Sequence, residues 1–236
     1  TANTVAQTIT VTIADVNEFD PEFAVGDTAT ATPNEGQTAV GTYGASDGDG
    51  DAVLTYTVTG GDDRDLFSVA SDGVLTFQQA PDYEANICGG DNSCEVILTV
   101  SDGLAGSDDD TITITVNLQD VNDESPVFTS DAAIGLDENT QAVVELTVTD
   151  PDAADANTAT FEITGGADDG LFEIVNGDEL QFKTADIPDF EVPTADGGGQ
   201  AYVVIVTASD GADTANTAAQ TITVTIADVN DESPAF

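Results

Sequence analysis

Residues 1–23, TANTVAQTITVTIADVNEFDPEF, return almost unchanged as residues 214–236, TANTAAQTITVTIADVNDESPAF. A looser third copy, DTITITVNLQDVNDESPVF, spans 110–128. Aligned on Pro21, Pro126 and Pro234, the copies stand 105 and 108 residues apart. That period is a whole domain in tandem; solenoid units turn over in roughly 20–50 residues. The chain therefore divides three ways: 1–23 as the last strand and linker of a preceding module, 24–123 as a first repeat, and 124–236 as a second repeat with its C-terminal linker. On this reading it is a stretch cut from something longer, and it contains neither a secretory leader nor an apolar run able to span a bilayer.

Inside each repeat the apolar residues alternate, which is the period of a half-buried strand. Ile112, Ile114, Val116 and Leu118 face one way, with Thr111, Thr113 and Thr115 between them. Ile222, Val224 and Ile226 repeat the pattern, as do Ile9, Val11 and Ile13. Further strands are expected at 52–59, 73–77, 95–101, 143–149, 158–164, 179–183 and 201–208, separated by turn clusters such as TGGDD and TGGADDG. No segment has a helical stripe. Several short strands in about 100 residues predict an all-β Greek-key sandwich in each repeat, with Tyr56 and Phe161 at matching core positions.

Asp and Glu number 46 against two basic residues, Arg64 and Lys183, and there is no His; the formal net charge is −44. Phosphate neutralisation needs cations, so nucleic acid is excluded as a partner, and an anionic membrane surface likewise. Self-repulsion of this size opposes compaction unless a cation or salt screens it. Cys88 and Cys94, in CGGDNSC, cannot complete a zinc site without His; a local disulfide is expected in place of free thiols.

Many acids recur at matching places in both repeats. A Glu follows the first strand, Glu35 in PNEG and Glu138 in DENT. An Asp-x-Asp follows the next, Asp47 with Asp49 and Asp150 with Asp152. Asp82 and Glu84 flank Tyr83 as Asp189 and Glu191 flank Phe190. Asp102 and Asp210 close the TVSDG and TASDG strands. The linkers carry Asp120, Asn122 and Asp123, then Asp228, Asn230 and Asp231. Oxygen-only ligand sets without His or Cys select hard cations, and calcium accepts six to eight oxygens at the variable geometry that loops provide. Acids outside the pattern, such as Asp108, Asp109, Asp168 and Asp169, read as solvated surface charge.

The linker Asp-Val-Asn-Asp-x-x-Pro-x-Phe, the Asp-x-Asp, the Asp-x-Glu and the early Glu together resemble cadherin repeats, over nearly the whole chain. The resemblance implies seven-strand, immunoglobulin-like sandwiches set end to end, with Ca2+ held at each junction by one repeat's base, the linker and the next repeat's top. Carried across, the complete junction draws on Glu35, Asp82, Glu84, Asp120, Asn122, Asp123, Asp150, Asp152 and Asp210, with a carbonyl of Asn157. Glu124, where the family often has Asn, is expected to offer its carbonyl. A front junction keeps Asp15, Asn17, Asp47, Asp49 and Asp102, with Glu18 in place of the usual Asp. A rear junction keeps Glu138, Asp189, Glu191, Asp228, Asn230 and Asp231. Full calcium occupancy is expected in the middle and partial occupancy at either end.

Rival readings fit less well. Asp47, Asp49 and Asp51 resemble the start of an EF-hand loop, but Ala52 stands where Gly is required and Val58 where the loop's final Glu belongs. GDGD occurs once, whereas a calcium-loaded β-helix needs it in tandem. Carboxylate pairs can hydrolyse glycosides, yet the recurring acids are accounted for as metal ligands, so no enzyme activity is expected. The expected role is extracellular: a calcium-stiffened extender or adhesion segment of a large bacterial cell-surface adhesin, whose partners are neighbouring repeats; the alternative is a module that binds like molecules in homophilic cell-cell adhesion, or surface glycans. A sugar-binding alternative would use exposed aromatic platforms, for which Tyr43, Tyr83, Phe190 and Tyr202 are the candidates.

Overall fold

A computed structural model describes residues 1–13, 16–49, 53–103, 108–152, 159–210 and 216–233. Asp15, Asp51, Ala52 and Asn157 lie outside these residues. The chain forms two compact units, Thr1–Gln119 and Asp120–Phe236.

The first unit holds β1 (Glu22–Phe23), β2 (Thr28–Ala31), β3 (Ala39–Thr42), β4 (Ala45–Ser46), β5 (Thr55–Gly60), β6 (Phe67–Val69), β7 (Val74–Phe77), β8 (Ser93–Ser101) and β9 (Asp110–Asn117). Its four-stranded sheet runs β2-β9-β8-β5, its three-stranded sheet β3-β7-β6, and β1 pairs with β4. β2 and β9 run parallel, and the other strand pairs described in this unit are antiparallel. The second unit repeats this with β10 (Val127–Phe128), β11 (Ala133–Asp137), β12 (Ala142–Glu145), β13 (Val148–Thr149), β14 (Thr160–Gly165), β15 (Phe172–Val175), β16 (Glu179–Phe182), β17 (Ala201–Ser209) and β18 (Thr217–Ala227). Its sheets are β11-β18-β17-β14, β12-β16-β15 and β10-β13. Helix is confined, among the described residues, to single 3-10 turns.

Alternation along the central strands builds each core. Cys94, Val96 and Leu98 face Val116, Ile114 and Ile112 across β8 and β9, all fully buried. Tyr202 and Val204 face Val224 and Ile222 in the same way. Phe67 stacks on Phe77 with ring centroids 4.6 Å apart, and Phe172 on Phe182 at 4.4 Å. Tyr56 and Phe161 are half-buried against these clusters. The doubled glycine after β5 and β14 has a steric cause. Gly61 and Gly166 hold φ of +94° and +115°, and a Cβ there would lie 2.2 Å from the Glu95 carbonyl oxygen or 2.4 Å from that of Val203; only glycine fits.

Three expectations need correction. The first copy of the repeated strand does not form: residues 1–13 are in no strand, and Ile9 and Ile13 are 75% and 90% exposed. A strand is stable only against a neighbour. The same residues become β18 because β11 and β17 flank them there. Second, the continuous strand expected at 143–149 breaks at Leu146, whose N–H bonds the Asp178 carbonyl at 2.7 Å while the chain crosses from one sheet to the other. Tyr43 marks the same crossing in the first unit, bonding the Gly73 carbonyl at 2.8 Å. Third, Asp168 is buried: its two oxygens accept from Asp196 N–H at 2.6 Å and Val203 N–H at 2.7 Å. It is a structural bridge and no surface charge. Asp108, Asp109 and Asp169 are exposed.

Cys88 and Cys94 form a disulfide with Cα atoms 4.8 Å apart, both buried in the first unit's core. It closes a short loop, which limits the denatured chain by about 2–3 kcal/mol. Replacing both by Ala is expected to lower the unfolding free energy of the first unit by that amount and leave the second unchanged, resolved as two transitions in urea denaturation.

Candidate metal centres

The acids gather at the two ends of each sandwich because strands deliver them there. In the second unit, one end is where β17 finishes and β18 begins. Asp210 follows β17 and is 1% exposed; Asp152, after β13, is completely buried. Asp152 N–H donates to Asp150 Oδ1 at 3.1 Å, curling the Asp-x-Asp loop on itself, and Glu124 N–H donates to Asp152 Oδ2 at 3.0 Å. The Asn216 amide donates to the Asn122 carbonyl at 3.0 Å and to the Asn122 side-chain oxygen. Burial, together with the charges of Asp150, Asp120 and Asp123, pushes Asp152 up to about 6, against the lowering effect of the Glu124 N–H. Desolvation and like charge both favour the protonated carboxyl.

At the opposite end, Glu138 is buried and bridges two segments. Its oxygens accept from Phe190 N–H at 2.7 Å and Val229 N–H at 2.8 Å, and these bonds hold it below the usual Glu range. Oxygens of Glu138, Asp189 and Glu191 lie within 4.8 Å of one another, as do those of Glu191, Asp231 and Glu232. Glu191 is raised by desolvation and by the charges of Glu138, Asp228 and Asp189. Val192 N–H fixes Asp189 at 2.9 Å, and Asn139 fixes Asp231 at 2.8 Å. Asp228 and Asn230 follow β18 in the same segment.

The first unit repeats both ends. Asp49 N–H donates to Asp47 Oδ1 at 2.7 Å, and Asp49 Oδ2 accepts from Glu18 N–H at 3.2 Å and Phe19 N–H at 3.0 Å. Asp102 is buried just past β8. At its other end Glu35 is buried, accepts from Tyr83 N–H at 2.6 Å, and is anchored by its own N–H to the Gln119 carbonyl at 3.0 Å. Asp82 accepts from Ala85 N–H at 2.9 Å, and Glu84 stands half-buried two residues on.

A family model described as "Bacterial Ig domain" matches residues 17–115. Human Protocadherin-16 is 31% identical over 243 residues, covering 98% of this chain and 7% of its own length. Human Protocadherin Fat 1 is 29% identical over 246 residues, covering 99% and 5%. The chain thus spans a small fraction of the curated relatives it matches. Among solved structures, mouse Cadherin-23 EC22-24 superposes with a TM-score of 0.69 at 18% identity over 91% of this chain and 68% of that one. Drosophila N-cadherin EC1-4 gives 0.65 at 18% over 89% and 50%.

These are cadherin-like repeats. They are extracellular domains, and no helix among the described residues is long and apolar enough to cross a membrane. The clustered side chains offer oxygen donors alone, a chemistry that suits a hard cation. Asp47 Oδ2, Asp150 Oδ2 and Asp152 Oδ1 are buried and have no hydrogen-bond partner among the described residues, and the same holds for the side-chain oxygen and amide nitrogen of Asn17. Buried anionic oxygens without a donor are costly unless a cation meets them. Two participants escaped sequence reasoning. Glu232 enters the Glu191–Asp231 cluster, and its match to Glu124 in NDES could have flagged it. Asn216 bonds Asn122 across 94 residues, for which no local signal exists.

Two outcomes follow from these bonds. Glu138→Ala orphans two amides and is expected to cost the calcium-free second unit about 2–4 kcal/mol, whereas exposed Asp169→Ala stays within about 0.5 kcal/mol; urea denaturation in chelator checks both. Because the folded state raises Asp152, its contribution is most favourable below pH about 4, its unfolded value, and is lost as pH rises through about 6. In chelator, Asp152→Asn should therefore stabilise the second unit at pH 7 and have little effect at pH 4, by thermal melts across that window.

Proposed function

We propose that the chain is a calcium-stiffened segment of a larger cell-surface adhesin, in which each linker and the repeats on either side of it share calcium. The observation that carries this reading is the recurrence of the same acids at the same strand ends in both repeats, with buried oxygens of Asp47, Asp150 and Asp152 that no donor among the described residues meets. Bound calcium would supply positive charge to carboxylates that otherwise repel. Glu35, Asp82, Glu84, Asp120, Asn122, Asp123, Asp150, Asp152 and Asp210 would hold it at the complete junction. Asn17, Asp47, Asp49 and Asp102, with Asp15, would serve the front junction, and Glu138, Asp189, Glu191, Asp228, Asn230 and Asp231 the rear.

The chain's own part is to hold these oxygens in place. Glu35 and Glu138 are fixed by amides of the Asp-aromatic-Glu loops. Asp49 and Asp152 are fixed by amides of the preceding linkers. The ligand loops are thus tied to the sandwiches before metal arrives, and ordering them on binding costs little. A stiff rod of such repeats would carry a terminal binding domain away from the cell. The sugar-platform alternative loses support, because Tyr43 and Tyr202 are buried and Tyr83 and Phe190 pack partly against the cores.

Small-angle X-ray scattering in millimolar calcium and then in excess chelator tests the proposal. Expected are a fixed particle length with calcium, a broader distance distribution without it, and the mass of one chain throughout. Profiles indifferent to calcium would contradict it; doubling of mass with calcium would favour adhesion between like chains over spacing.

A further inference from the structure

The Asp-aromatic-Glu loops of the two repeats are fastened alike at three points and differently at a fourth. The aromatic residue's N–H bonds the buried Glu, Tyr83 to Glu35 at 2.6 Å and Phe190 to Glu138 at 2.7 Å. The loop's Asp accepts from an amide three residues on, Ala85 N–H to Asp82 and Val192 N–H to Asp189, both at 2.9 Å. The aromatic residue's carbonyl accepts a side-chain amide from just ahead of the next strand, Asn92 to Tyr83 at 2.8 Å and Gln200 to Phe190 at 2.6 Å. The fourth point is the second residue of that strand, Cys94 in β8 and Tyr202 in β17, paired across the sheet with Val116 and Val224. Cys94 is bonded to Cys88, six residues past Asp82. Six residues past Asp189 stands Ala195, buried as Cys88 is, and the Tyr202 hydroxyl accepts from the neighbouring Thr194 N–H at 3.2 Å. Asp196 N–H, on the other side of Ala195, bonds Asp168. One loop is closed covalently, the other by hydrogen bonds.

We propose that the Cys88–Cys94 disulfide positions the Asp82-Tyr83-Glu84 loop, as the covalent counterpart of Tyr202, so that the first repeat's cation ligands are preset only in an oxidised chain while those of the second repeat are preset in any folded one. Cys94 is fully buried in β8 and Cys88 lies four residues past Glu84, so the bond carries the rigidity of the sheet to the ligand loop. Without it the loop keeps its ties at Tyr83 and Asn92 but gains freedom, and ordering it becomes part of the cost of binding. Both sulfurs are buried, which shields the bond once the protein is folded. It is made as the chain folds in an oxidising compartment, when two thiol protons and two electrons pass to an external disulfide that leaves as two thiols. The bond is thus a condition of maturation. Cys88 and Cys94 are positioning residues, acting through the loop. The proposal rests on the calcium reading only for the role of Asp82 and Glu84 as ligands; the fastening itself is read without metal.

Amide hydrogen exchange by NMR on the full chain tests it, in excess chelator with sodium sulfate added to favour the folded state. Cys88→Ala with Cys94→Ala should speed exchange at Tyr83 and Ala85 by roughly tenfold, beyond any change at Val96 and Leu98 in β8, and leave Phe190 and Val192 unchanged. Tyr202→Phe, which loses only a hydroxyl, should speed Thr194 by about threefold and leave Tyr83 unchanged. In a calcium titration without sulfate, the midpoint read at the Tyr83 amide should move roughly tenfold higher in the cysteine variant, with the Phe190 midpoint unmoved. A disulfide that only restricts the denatured chain would quicken Val96 and Leu98 and leave Tyr83 and Ala85 at their wild-type rates, which overturns the proposal. Thr194 exchange indifferent to Tyr202→Phe overturns the equivalence of the two fastenings. Tyr83 and Phe190 amides that ignore calcium in the wild-type chain, with the chelator differences intact, would count against the calcium reading and leave the fastening standing.

Discussion

Carboxylates brought together at the ends of β-sandwiches, in a chain with two basic residues to answer 46 acidic ones, are the constraint on which the rest depends. The strands cannot avoid creating these clusters. Each sandwich delivers its Asp-x-Asp, its Asp-aromatic-Glu and its linker to the ends of the sheets, and burial there removes the water that would screen them. The single Lys and single Arg do not help: Lys183 bonds the Gly170 carbonyl, and Arg64 lies 3.6 Å from Asp65 on the surface. Relief must come from backbone amides or from outside the chain.

Backbone amides do part of this work, and unevenly. Glu138 takes two and is held below the ordinary Glu range, while Glu191 beside it is raised. Opposite shifts of neighbouring carboxylates mark a division between acids that frame a site and acids whose charge the site leaves unanswered. Asp152 belongs to the second group despite its amide, since burial outweighs that bond. The oxygens left over have the character that a hard, oxygen-seeking cation satisfies.

Much of the fold was legible because its signals are periodic and doubled. Alternation placed β8, β9, β17 and β18, and the tandem copies marked the acids worth aligning. The crossings at Tyr43 and Leu146 were not legible, because a strand that changes sheets keeps its alternation and only loses its partner. Nor was the bare first copy of the repeated strand: its pattern is that of β18, but pairing is a property of neighbours, which a pattern does not contain. Asp168 looked like any acid in a Gly-Asp turn until the fold set it against two amides. Asn216 acts through a contact with distant chain, at Asn122, and nothing local announces it.

The most direct test of the central claim is differential scanning calorimetry of the chain in three buffers: chelator alone, chelator with sodium chloride, and calcium with the ionic strength matched to the second. If specific coordination relieves the clusters, calcium should raise the melting temperature far above the sodium value, and the rise should grow with the logarithm of free calcium. If sodium chloride at equal ionic strength reproduces the calcium melt, general screening of surface charge accounts for the acids, and the metal centres are contradicted.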